Sequence, residues 1–107
     1  MKYDTELICE VQNKIILEEN VSHACAAILA ENALNRFDER VQAGVVQWAK
    51  GELTADFTVG DISLADIQDE IGVSLFEALC VMDIYLKNAD FIPMARWFTV
   101  KEMPYNE

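Results

Sequence analysis

The sequence predicts a mainly α, single-domain protein, and three observations carry that reading. Apolar residues recur at helical spacing along most of the chain up to Lys50. Gly and Pro, the residues that interrupt helices, number only four and two. Between Ser63 and Leu86, two helix-start signals stand eleven residues apart around one glycine, a pattern of helix, tight turn and helix. With 107 residues and an apolar fraction of 52%, the chain can bury one core without staples.

Residues 4–19 read as the first helix. Leu7, Ile8, Val11, Ile15 and Ile16 form its apolar stripe, with Glu6, Glu10, Gln12, Asn13 and Lys14 on the other side. Asn20-Val21-Ser22 breaks the pattern, and Ser22 suits the cap of a second helical region. That region takes in residues 22–50, with Gly51 at its end. Its stripe is Ala24, Ala27, Ile28, Leu34, Phe37, Val41, Val45 and Trp48. Asp38 is a candidate cap for a new helix after Phe37, but the unbroken period across residues 36–41 favours one long helix. So long a stripe suits an intramolecular core, and it also suits half of a homodimer interface.

Residues 53–61 form a connection in which 57–59 has extended character, followed by Gly60. Then come the two capped helices, 63–71 and 74–87. Ser63 with Asp66, and Ser74 with Glu77, have the spacing of capping boxes, and Gly72 sits where a left-handed residue lets the chain turn. Lys87 suits the negative end of the last helix, and Lys87-Asn88-Ala89-Asp90 marks its close. Phe91-Ile92-Pro93 begins an extended piece, residues 96–100 have strand composition, and residues 101–107 read as a loose tail. Strands at 57–59 and 96–100 would pair as a short wing. No repeat or second domain is evident.

The stretch Ser63-Leu64-Ala65-Asp66-Ile67 through Ile71-Gly72-Val73-Ser74 resembles the helix-turn-helix superfamily of bacterial regulators. The resemblance covers about residues 62–86 and implies a supporting helix joined to a recognition helix that lies in the DNA major groove. The match departs from the family at two places. Gln68 stands four residues before the turn glycine, where the family has a small residue. The groove-facing positions would be Ser74, Leu75, Phe76, Leu79, Cys80 and Asp83, and none is an Arg, Lys, Asn or Gln that reads base edges.

Charge points away from nucleic acid as the ligand. Nineteen Asp and Glu oppose eight Lys and Arg, a net charge of −11, where a DNA-binding domain carries a basic face. From residue 51 to 86 there is no Lys or Arg, yet eight carboxylates stand there: Glu52, Asp56, Asp61, Asp66, Asp69, Glu70, Glu77 and Asp83. Asp66 and Glu77 have capping roles. The remaining six form either a solvated face that keeps the chain soluble or a surface complementary to a basic partner.

Sequence signals for chemistry are sparse. His23 is the sole histidine, and Cys25 two residues on points in another direction on a helix. Zinc-ligand spacing is lacking, Asp66, Asp69 and Glu70 lack the loop of a calcium site, and no phosphate-cradling glycine motif occurs. We therefore expect no catalytic residues, no metal, no cofactor and no enzymatic activity. Cys9, Cys25 and Cys80 are expected to be reduced core residues of a cytoplasmic protein. From the polar start we expect no secretory signal, and the longest apolar run, residues 24–30, is too short for a membrane span.

The functional expectation is a small acidic inhibitor or regulator that binds a basic, nucleic-acid-handling protein, in the manner of a DNA mimic. In composition, with no shared motif, the chain resembles the small acidic inhibitors of CRISPR nucleases and other phage-derived DNA mimics. The expected contact residues are Glu52, Asp56, Asp61, Asp69, Glu70 and Asp83, with Leu75, Phe76 and Leu79 as apolar anchors. The alternative is a helix-turn-helix transcriptional regulator or antitoxin that binds DNA as a dimer. It requires Arg36, Arg40, Lys50, Lys87 and Arg96 to gather on one face.

Overall fold

The computed structural model describes residues 3–87. Five helices and one two-stranded hairpin run in the order α1 (Thr5–Glu19), α2 (His23–Asn35), α3 (Glu39–Ala49), β1 (Thr58–Val59), β2 (Ile62–Ser63), α4 (Leu64–Ile71) and α5 (Leu75–Lys87). The mainly α expectation holds. The strand expected at 96–100 and the tail at 101–107 lie outside the described residues.

Helix α1 begins where the Asp4 carboxylate accepts the Leu7 N–H at 2.8 Å. It ends at Asn20, held left-handed at φ 54°. Val11 and Ile15 of its stripe are buried, while Leu7, Ile8 and Ile16 pack at the edge of the core. Ser22 caps α2 by accepting the Cys25 N–H at 3.1 Å. Ala26, Ala30 and Ala33 are buried on α2, and their small side chains let it lie close against α1.

The expected single helix over residues 22–50 is two helices. The Asp38 carboxylate caps α3 by accepting the Arg40 N–H at 2.9 Å, and the Asp38 N–H donates to Asp83 Oδ1 on α5 at 2.7 Å. The Phe37 carbonyl is taken by the Gln42 amide at 2.7 Å. The Asp38 N–H and the Phe37 carbonyl, both set free at the break, thus have partners. The period ran on because Phe37, Val41, Val45 and Trp48 all enter one core from both sides of the break.

Past α3 the chain turns at Gly51 (φ 74°) and enters the hairpin, which turns at Gly60 (φ 65°). Thr58 pairs with Ser63 and Val59 with Ile62, antiparallel. The extended piece at 57–59 therefore finds its partner immediately downstream, where a short loop closes most easily. Phe57 lies against Gly44 of α3. A Cβ there would stand 2.9 Å from two Phe57 ring atoms and 3.0 Å from Leu79 Cδ2, so a glycine is what allows the ring to seat.

Ser63 and Asp66 form the expected capping box at the start of α4. Gly72 is left-handed at φ 64°. Gln68, the departure from the family pattern, donates its amide to the Val73 carbonyl at 3.1 Å and closes the turn. Ser74 Oγ accepts the Glu77 N–H at 3.1 Å, and Glu77 Oε1 accepts the Ser74 N–H at 3.0 Å. Both sequence signals flanking the glycine are therefore present as bonds.

Helix α5 is the centre of the packing. Phe76, Ala78, Leu79, Cys80, Val81, Met82 and Asp83 are all buried on it, between α3 and α4. A helix apolar on nearly every side belongs in a core rather than on a surface. Phe76 meets the Trp48 ring at a centroid distance of 5.0 Å, and Lys14 Nζ lies 5.2 Å over the same indole while donating to the Trp48 carbonyl at 2.7 Å.

Candidate functional site

Two sets of residues were expected to meet a partner, and the structure separates them. Glu52 and Asp56 stand on the segment between α3 and β1, Asp61 on the hairpin turn, and Asp69 and Glu70 on α4; all five are exposed. Asp66 is exposed as well, although its carboxylate is engaged at the α4 cap. Thr54 Oγ1 donates to an Asp56 carboxylate oxygen, and Thr58 Oγ1 donates to the Asp56 carbonyl at 2.8 Å. These two bonds hold the loop carrying Asp56. The stretch that carries them, residues 51–86, contains no Lys or Arg.

The second set falls inside the protein. Phe76 and Leu79 have no exposed surface, so these two expected anchors are core side chains, while Leu75 is half-buried at the edge of the core. Asp83 is also fully buried. Its carboxylate accepts the Asp38 N–H and pairs with Lys87 Nζ at 3.2 Å, so it fastens α5 to the α2–α3 connection and offers nothing to a partner. The cause in each case is the central place of α5, which tertiary packing decides and local pattern does not.

The same fact bears on the positions that the helix-turn-helix resemblance aims at DNA. Phe76, Leu79, Cys80 and Asp83 are buried, and Ser74 and Leu75 are half-buried. A recognition helix needs an open face to enter a groove. The positive residues the alternative requires are partly committed: Arg40 pairs with Asp38 at 2.9 Å, and Lys87 pairs with Asp83 and donates to the Arg36 carbonyl. Arg96 lies outside the described residues.

Charged groups in the interior follow their surroundings. Burial pushes the Cys80 thiol well up, and nearby Glu19, Asp83 and Glu77 add to it, so it stays a neutral core thiol. Cys9 is exposed and Cys25 half-buried, a correction to the expectation that all three cysteines are core residues. Burial also raises Glu19, against the opposing hydrogen bond from Ser74 Oγ at 2.8 Å, with Glu77 and Glu18 raising it further. Asp38 is lowered, first by the hydrogen bond from Arg40. His23 is exposed at the first position of α2. Among the described residues, no group of three or more His, Cys, Asp or Glu is placed to hold a metal ion. None of their helices is long and apolar enough to cross a membrane.

A groove that the sequence analysis does not name lies between α1 and α2. Ile8 and Gln12 of α1 and Ala27, Glu31, Leu34 and Asn35 of α2 line it, and it encloses about 240 Å³. Beside it Ala24, Ala27 and Ile28 are exposed, Ile28 by 39%. The one signal for it was the run of residues 24–30, which is apolar on more faces than one core contact uses.

No family model, curated protein or solved structure matches this chain.

Proposed function

We propose that this protein is an acidic binding module that acts as an inhibitor or regulator of a basic, nucleic-acid-handling protein, presenting carboxylates where that partner expects phosphates. The observation that carries the reading is the charge distribution. A net charge of −11 is joined to a stretch from residue 51 to 86 without one Lys or Arg, on which Glu52, Asp56, Asp61, Asp69 and Glu70 are exposed. Such a field attracts a basic surface over about 10 Å at ordinary salt, speeds its association and repels nucleic acid. The acidic set is reduced by Asp83, which is internal, and the apolar set loses Phe76 and Leu79.

The test is a pull-down on the tagged protein from host lysate at low salt, with and without nuclease. The reading expects a basic protein that survives nuclease and is released by salt. Replacing Glu52, Asp56, Asp61, Asp69 and Glu70 by their amides is expected to weaken that capture and flatten its salt dependence. Recovery of nuclease-sensitive DNA instead restores the regulator reading, and capture unchanged in the amide variant ends charge mimicry.

A further inference from the structure

We propose that the groove between α1 and α2 is a docking site for an amphipathic, basic helix of a partner protein. The inference rests on the acidic-module reading and supplies the apolar anchor that Phe76 and Leu79, being buried, do not. Affinity from charge alone is short-lived and salt-sensitive, and residence time comes from a few desolvated apolar contacts.

The shape of the groove fits that occupant. Ile8 from α1 and Ala27 and Leu34 of α2 supply its apolar lining, and Leu34 is only 1% exposed. Gln12, Glu31 and Asn35 set the polar edge. Exposed Ala24, Ala27 and Ile28 extend the apolar surface along α2. A third helix laid between two packed helices meets them with side chains at three- and four-residue spacing, and the alanines leave room for its larger residues.

Charge decides what kind of helix. Helices α1 and α2 carry Glu6, Glu10, Glu18, Glu19 and Glu31 against one lysine. That lysine, Lys14, is turned away to the Trp48 carbonyl and indole of α3. Among the described residues, the groove lining holds Glu31 and no Lys or Arg. An incoming helix with Lys or Arg beside its apolar stripe therefore gains from Glu31 and from the field of the pair. A second copy of this chain brings another −11 charges to the contact and is opposed by the same field. Arg36 stands next to Asn35 at one end, so the basic side chains of the partner are expected toward Ala27 and Glu31.

The experiment uses the full isotope-labelled chain and two synthetic peptides of leucine and lysine, one amphipathic as a helix and one a scramble of equal composition. Each is titrated in at low salt while amide shifts are monitored. The proposal expects the amphipathic peptide to shift the amides of Ile8, Gln12, Ala27 and Glu31 and to bind about tenfold more tightly than the scramble. Ala27→Arg, at an exposed helical position, is expected to weaken binding about tenfold with the thermal midpoint unchanged, and Glu31→Gln about threefold. Equal binding of both peptides, with shifts confined to residues 52–70, overturns the groove and leaves the acidic-module reading standing. Failure of both peptides to bind at low salt overturns the two together. Groove binding indifferent to salt and to Glu31→Gln overturns the basic partner. Shifts at Ile8 and Ala27 on dilution without peptide assign the groove to a second copy and overturn the proposal.

Discussion

The connections α2–α3 and α4–α5 are each three residues long, yet they are held by different means. At Gly72-Val73-Ser74, most of the bonding is local: a left-handed glycine, the reciprocal Ser74–Glu77 cap, and the Gln68 amide on the Val73 carbonyl. At Arg36-Phe37-Asp38, the cap onto Arg40 and the Gln42 amide on the Phe37 carbonyl are local, but two further bonds are not. The Asp38 N–H is taken by Asp83, 45 positions on, and the Arg36 carbonyl by Lys87, 51 positions on. A turn whose polar groups are satisfied nearby is written in its own residues. One satisfied from afar exists only once the rest of the chain has packed.

The largest effect is expected at Asp83. Asp83→Ala strips the acceptor from the part-buried Asp38 N–H at a position closed to water, and it removes one partner of Lys87, which is exposed. The expected loss is about 3 kcal/mol in urea unfolding. Asp83→Asn keeps an acceptor and should lose less. Amide exchange is expected to quicken first across residues 36–38 and not at the Gly72 turn. A loss below about 0.5 kcal/mol, the size of a surface change, would make the α2–α3 connection as local as its counterpart.

Gly72→Ala probes the other side of the comparison. No atom lies within 4 Å of a Cβ built there, so the cost comes from the backbone alone, at φ 64°. About 1 kcal/mol is expected, measured by the same unfolding, with exchange raised at the ends of α4 and α5 only. A change felt at residues 36–38 would mean that the two connections are coupled.

The contrast also accounts for what was legible in the sequence. The starts of α2, α4 and α5 were readable because Ser22, Ser63 and Ser74 bond to groups three residues on. The end of α4 was readable because only glycine takes that backbone conformation freely. The α2–α3 break was not, since the apolar period crosses it and its anchor sits on α5. The extended piece at 57–59 was recognised but its neighbour at 62–63 was not, because two-residue strands carry too little pattern to set register. Of the candidate site, the acidic residues were placed correctly on the outside except Asp83. The apolar ones were not, because Phe76 and Leu79 on an all-round apolar helix give no sign of which side meets water. The α1–α2 groove depends on how two helices meet, which neither helix states alone.

The smallest effect is electrostatic and has opposite signs at the two connections. Glu19 reaches the Gly72 turn through Ser74, and its pKa is raised from the ordinary 4.5 by burial. The folded state then holds the proton more tightly than the unfolded one. Stability is therefore lost as pH rises from 4.5 through the folded value, and regained on acidification. Asp38 at the α2–α3 break is lowered from 3.8 by Arg40, so its contribution is present above 3.8 and is lost as pH falls through its folded value. Mild acid should thus tighten the docking of the turn on α1, and stronger acid should loosen the break. Glu19→Gln keeps an acceptor for the Ser74 hydroxyl and removes the charge. It should raise the urea midpoint slightly at neutral pH, with the gain fading as pH falls toward 4.5. A variant less stable than the parent at neutral pH would mean that the Ser74 bond to the carboxylate outweighs the cost of burying it, and the two connections would then respond to acid alike.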